Sequence, residues 1–185
     1  MPENNLLRTF ICIEFPDEVI KEVARIQSLL EKQNFLGKIT ELKNLHLTLK
    51  FLGEISEETL EKVKVKLSTI KFSILNLQLG AVGTFNFRGS PKIVWIKVEG
   101  NVFPLQKQTD ETLSDLFSKE ERFMSHLTIA RIKYVKDKKD FINSVSQIKC
   151  KKIKFSCNDF KLKLSELKPE GSIYTTLASY EAERI

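Results

Sequence analysis

The 185-residue chain contains only two histidines, and both sit in the same short context, Leu45-His46-Leu47-Thr48-Leu49 and Ser125-His126-Leu127-Thr128-Ile129. With 11 threonines in the chain, chance places Thr two residues after both histidines only about 0.4% of the time. A shared constraint is the better explanation. Side chains two apart on a strand leave the same face, about 6.5 Å apart, so each H-x-T presents an imidazole beside a hydroxyl. Leu45, Leu47 and Leu49, like Leu127 and Ile129, turn the other way into a core. Imidazole moves protons near neutral pH, and a hydroxyl donates to a phosphoryl oxygen without carrying charge. A lone His-Leu-Thr is ordinarily a half-buried polar pair. Two copies 80 residues apart, close to half the chain, suggest an internal duplication that sets them face to face. Two imidazoles flanking one substrate supply the acid and the base that in-line attack on a phosphodiester requires.

Other chemistries are poorly served. Neither H-x-T contains a carboxylate and there is no C-x-x-C pair, so a metal centre is not expected. Cys12, Cys150 and Cys157 are odd in number and read as reduced thiols without a disulfide framework. No G-x-x-x-x-G-K-[ST] loop is present to cradle a triphosphate. The 30 Lys and Arg against 24 Asp and Glu suit a polyanionic partner, and equally a lysine-rich solubilising surface. No stretch approaches the roughly 18 apolar residues of a spanning helix. Met1-Pro2-Glu3-Asn4-Asn5 lacks a basic-then-apolar leader, so the expected compartment is the cytoplasm.

The elements that must carry the histidines can be read from pattern. Thr9 to Phe15 is a β-prone run stopped by Pro16, and Asp17 is placed to cap a helix whose Val19, Ile20, Val23, Ile26, Leu29 and Leu30 fall at helical spacing. That helix is expected to end near Gly37, and Leu45 to Leu52 to form a strand closed by Gly53. Ser56 caps an acid-led helix running through Ile70. Strands follow at Ile74 to Val82 and Ile93 to Val98, around the turn-rich residues 86–91. After them come a helix from Phe103 to Phe117, a strand at His126 to Ile132, a helix at Lys138 to Ile148, and strands at Lys152 to Ser165 and Tyr174 to Glu181. No linker divides the chain, so residues 1–185 are expected to form one domain of two intimately packed lobes.

The paired motifs, with Arg8-Thr9-Phe10-Ile11 and Pro16 before them, Lys50-Phe51-Leu52-Gly53-Glu54 after the first and Ala130-Arg131 after the second, resemble the two-histidine (2H) phosphoesterase superfamily. Phe85, Pro91, Trp95 and the closing Ser165-Glu166-Leu167-Lys168-Pro169-Glu170-Gly171-Ser172-Ile173-Tyr174 extend the likeness, which is strongest to its RNA 2′,3′-cyclic phosphodiesterase branch, historically called 2′-5′ RNA ligases. One departure is Met124-Ser125, where many relatives have proline before the histidine. The resemblance implies a bilobal α+β fold, duplicated and pseudo-symmetric, with two antiparallel sheets flanking a central cleft and helices outside. It implies opening of a 2′,3′-cyclic phosphate to a 2′-phosphomonoester, with ATP-independent joining of 2′-5′ linkages in some members. The substrate would be RNA, such as tRNA halves or oligonucleotides, handled by a monomer without cofactor, metal or membrane.

By the same resemblance His46 is the proton donor, His126 the proton acceptor, and Thr48 and Thr128 donors to phosphate oxygens. Arg131 resembles a phosphate-contacting arginine, Phe51 a base-stacking aromatic and Tyr174 a further substrate contact. Strict alternation puts Phe51 and Arg131 on the far face from the histidines, so a bulge or strand end near Lys50 and near Ala130 is required to turn them inward. Rivals are sister enzymes acting on 2′-5′ oligoadenylate, on a cyclic phosphate of ADP-ribose or on an RNA 3′ end. A non-catalytic basic RNA-binding module is a further rival, for which the histidines would be dispensable.

Overall fold

The first apolar run becomes β1 (Leu7–Ile13), and Thr9 through Ile13 are all buried. A strand covered on both faces shows such a continuous apolar run instead of alternation. The computed structural model describes residues 6–169 and 171–183. Met1 to Asn5, read above for the absence of a leader, and Glu170 of the C-terminal motif lie outside them. After β1 come α1 (Asp17–Glu31), β2 (Phe35–Ile39), β3 (Leu47–Ile55), α2 (Glu57–Leu67), β4 (Leu75–Phe87) and β5 (Ser90–Gly100). The chain continues through α3 (Phe103–Thr112), β6 (His126–Val135), α4 (Lys138–Ser146), β7 (Lys154–Cys157), β8 (Asp159–Lys168) and β9 (Gly171–Glu181).

The strands form two antiparallel sheets, one ordered β3-β1-β8-β9 and the other β2-β6-β5-β4-β7. The fold is thus the expected α+β arrangement, with one H-x-T segment in each sheet. The sheets interleave in sequence: β2 joins the second sheet, and β8 and β9 return to the first. Helices pack outside, α1 on β6, α4 on β4 and β5, and α3 on β3. The amphipathic α1 buries Val19, Val23, Ile26 and Leu30, in one core with Leu47, Leu49, Leu127, Ile129 and Phe160.

Several local expectations are corrected. Asp17 is the first helical residue and Pro16 the cap, without a side-chain cap bond; Ser56 does cap α2, accepting from the Thr59 N–H. The first helix stops at Glu31, and Gly37 lies inside β2. A Cβ on Gly37 would fall 2.3 Å from the backbone oxygen of Arg131, so this glycine serves close strand approach, not helix termination. Gly53 does not close β3 but lies within it at φ +74°. The single strand expected over 152–165 is two, β7 and β8, broken at Asn158 and assigned to different sheets.

Candidate active site

Both histidines stand at the start of their strands. His46 immediately precedes β3 and His126 opens β6, and the buried Leu45, Leu47 and Leu49 around the first and Leu127 and Ile129 after the second hold the strands to the core. His46, Thr48, His126 and Thr128 line one cleft of about 700 Å³ between the sheets. Each imidazole is fixed in the same way, by its own backbone two residues upstream. His46 Nδ1 lies 2.8 Å from the Asn44 carbonyl oxygen, and His126 Nδ1 lies 2.7 Å from that of Met124. A carbonyl only accepts, so Nδ1 carries the proton in both rings and donates. That leaves Nε2 as the nitrogen that gains or loses a proton. Asn44 is itself tied down, its Nδ2 donating to Ser172 O of β9 at 2.8 Å.

Aromatic rings brace each imidazole. Phe10 lies 4.8 Å from His46, and Tyr174 meets it edge-on at 5.3 Å. Phe85 meets His126 edge-on at 4.9 Å and leans in turn on Trp95. Trp95 lies over Gly83, where a Cβ would fall 2.5 Å from its ring. Desolvation dominates the proton affinity of both histidines. Burial pushes His46 down to about 4, with the charges of Lys163 and Arg131 acting in the same direction and the Asn44 contact opposing. Burial lowers His126 as well, with Arg131 again contributing. Both imidazoles are therefore neutral at pH 7.

Phe51 and Arg131 also line the cleft, and the ladders explain how. In β3, Ile11 pairs with Lys50 and Cys12 with Thr48, so Leu49 has no partner. In β6, Val94 pairs with Ala130 and Trp95 with Thr128, leaving Ile129 unpaired. Each bulge inserts one residue after the threonine, buries two consecutive side chains, and returns the next to the cleft. The bulged Ile129 carbonyl is satisfied by the Thr40 N–H at 2.9 Å and by the buried Gln27 side chain at 3.0 Å.

Several contributors escaped sequence reading. Lys50 is buried and donates to Asp110 Oδ1 at 2.5 Å and to Ser118 O at 2.7 Å. The other Asp110 oxygen accepts from Gln106 at 2.6 Å and from the Glu120 N–H at 3.0 Å. Together these bonds tether the segment between α3 and β6, whose Glu120, Arg122 and Phe123 line the cleft. The braces Phe10 and Phe85, and Arg8 on β1, line it too. Phe10, Phe85 and Arg8 fall in the stretches that carry the family likeness, which was the one signal available for them. Among the described residues no three His, Cys, Asp or Glu side chains come together in a way that could hold a metal ion.

Comparison with known proteins points to one family. The family model described as LigT-like phosphoesterase matches residues 13–95 and, in succession, 96–174. A protein of Methanocaldococcus jannaschii named RNA 2′,3′-cyclic phosphodiesterase is 32% identical, the match covering 94% of this chain and 100% of the relative. One of Archaeoglobus fulgidus with the same name is 34% identical over 95% of this chain and 100% of the relative. The crystal structure of TT0787 of Thermus thermophilus superposes with a TM-score of 0.81 at 25% identity, covering 96% of this chain and 100% of that one.

Proposed function

Since the chain belongs to the LigT-like phosphoesterase family, we propose that it is an RNA 2′,3′-cyclic phosphodiesterase that opens the cyclic end to a 2′-phosphomonoester without a metal. The observation that carries this reading is the matched pair of imidazoles, each with Nδ1 held by a backbone carbonyl, lining one cleft from opposite sheets. The relatives' shared name supplies the substrate class. The enzyme is proposed to act as a monomer. The successive family matches and the two identical bulges support a single domain of two pseudo-symmetric lobes. Three free cysteines, two of them buried, suit a reducing cytoplasm.

In the proposed reaction a water lies opposite the 3′ oxygen of the cyclic phosphate. Neutral His126 takes a proton from it at Nε2 as the water oxygen bonds to phosphorus. The bond from phosphorus to the 3′ oxygen breaks, and protonated His46 passes its Nε2 proton to the departing oxygen. The product is a 2′-phosphomonoester with a free 3′ hydroxyl, and the two histidines end with protonation states exchanged. Thr48, Thr128 and Arg131 stabilise charge on the non-bridging oxygens, and Phe51 stacks on the terminal base. Tyr174 packs against both His46 and the substrate.

Turnover of a nucleoside 2′,3′-cyclic phosphate and of a tRNA half, with chelator present and the product isomer identified, tests the reading. Full turnover to the 2′-phosphate is expected. A 3′-phosphate product would reverse the acid and base, rescue by added zinc or magnesium would sink the metal-free mechanism, and no turnover at all would sink the substrate assignment.

A further inference from the structure

Apart from Arg25 with Glu22, every ion pair among the described residues is made by a lysine. Arg88 lies over the Phe87 ring at the tip of the β4–β5 hairpin. The other three described arginines, Arg8, Arg122 and Arg131, have no carboxylate within ion-pairing distance among the described residues, and all three line the cleft. Glu120 is the one carboxylate on its lining among the described residues, and it accepts from the Arg122 backbone N–H at 3.3 Å. Three unpaired guanidiniums against one carboxylate are more positive charge than a singly charged cyclic phosphate requires.

The three arginines are not equivalent. Arg131 acts on both histidines, whereas neither Arg8 nor Arg122 is among the charges felt at His126. Arg8 lies two residues before Phe10 on β1, about 6.5 Å further along the cleft face than the ring beneath His46. Phe51 is the register partner of Phe10, and Gly53 that of Thr9. A Cβ on Gly53 would meet nothing within 4 Å, and Glu54, the register partner of Arg8, forms no ion pair with it among the described residues. Arg122 comes from a different part of the chain, on the segment tethered at Ser118 and Glu120 by Lys50 and Asp110. Lys50 is the chain neighbour of Phe51, so this tether holds the arginine's segment over the same stretch.

Resting on the function proposed above, we infer that Arg8 and Arg122 form a second phosphate subsite, which holds the phosphodiester on the 5′ side of the terminal nucleotide. The subsite makes the enzyme select oligonucleotide ends over mononucleotides. A guanidinium is suited to this because its planar fork pairs with two phosphate oxygens at once.

The test is the ratio of kcat/KM for a dinucleotide ending in a 2′,3′-cyclic phosphate to that for a nucleoside 2′,3′-cyclic phosphate. An inactive fraction of protein cancels from this ratio. In the wild type it should be about tenfold or more, the worth of a partly exposed charged contact. Arg8→Gln and Arg122→Gln should each lower it severalfold, and the double variant should bring it near one. Lys139→Gln, an exposed charge on α4, should keep the wild-type ratio. A wild-type ratio near one, a ratio retained in the double variant, or an equal loss in Lys139→Gln would overturn the subsite. If the wild type turns over neither substrate, the function reading fails, and the subsite is read from binding of a fluorescent trinucleotide RNA ending in a 3′-phosphate. The slope of log K against log salt should then fall by about 0.7 per arginine removed, and an unchanged slope overturns the inference.

Discussion

Acidification should separate kcat from kcat/KM, because the proposed acid is neutral in the free protein. Burial holds His46 at about 4, so only about one molecule in a thousand carries its proton at pH 7. Since kcat/KM reports the free enzyme, it should rise by about tenfold per pH unit below 7 until His126 also protonates, with its maximum on the acid side of 6.5. Bound substrate changes the balance. A phosphate charge about 4 Å away, at an effective dielectric of about 20, stabilises the imidazolium by about 4 kcal/mol. At 1.36 kcal/mol per pH unit this carries His46 from about 4 back to about 7, so kcat should be nearly flat where kcat/KM is falling. The chain has only two histidines, so proton NMR resolves both imidazoles, and a glutamine variant of either assigns them. The free protein should show both titrating below 6.5, and saturation with a nucleoside 2′-phosphate should raise at least one by several pH units. A free His46 titrating at 6.5 or above would refute the burial argument. Two histidines unmoved by ligand would refute their placement around the phosphate.

Alanine at His46 or at His126 should lower kcat by about 10² to 10⁴ in steady-state assays, and near-normal kcat would remove that residue from proton transfer. Stability should fall with acid. The unfolded chain binds more protons than the folded one between pH 6.5 and 4, so the His46 contribution is complete above 6.5 and lost as pH falls toward 4. This amounts to about 3 kcal/mol in urea melts, and His46→Gln should flatten the dependence. Lys50→Met should cost about 3 to 5 kcal/mol by stranding the buried Asp110 charge, whereas Lys50→Met with Asp110→Leu should recover most of it. Equal melts for the single and double variants would show that the pair is not buried as described. Gly37→Ala should destabilise the protein by about 2 kcal/mol or more, since its Cβ would meet the Arg131 carbonyl; an unchanged melting temperature would count against the tight β2–β6 approach.

The legible parts of this fold are those decided within a few residues. Strand alternation around each H-x-T told which leucines are core, and once the family resemblance set Phe51 and Arg131 against the substrate, their parity required a bulge. The parts that were not legible depend on distant partners. Residues 35–39, Phe-Leu-Gly-Lys-Ile, carry a central glycine and no alternation, and become a strand only because β6 offers an edge and its Arg131 carbonyl leaves no room for a side chain. Lys50 and Asp110 are 60 residues apart, and nothing local distinguishes them from the surface charges around them until α3 packs on β3.

The two motifs are so alike that a division of labour must come from their surroundings, and the equivalent bulges show where the surroundings diverge. The residue buried by the first bulge is Lys50, and by the second Ala130; the residue returned to the cleft is Phe51 in one case and Arg131 in the other. Lys50 spends its charge on Asp110, so the first motif brings an apolar ring and no free cation to the cleft, while the second brings a guanidinium. His46 is wedged between Phe10 and Tyr174, while His126 has Phe85 alone among the aromatic rings that contact it. The tighter apolar enclosure of His46 explains why its proton affinity is the more depressed. A strongly desolvated imidazolium is also the stronger acid, and it regains its proton only when an anion enters beside it. This supports tying the charging of His46 to the arrival of the phosphate it is proposed to cleave, and it favours the proposed assignment of the more open His126 as the group that meets water.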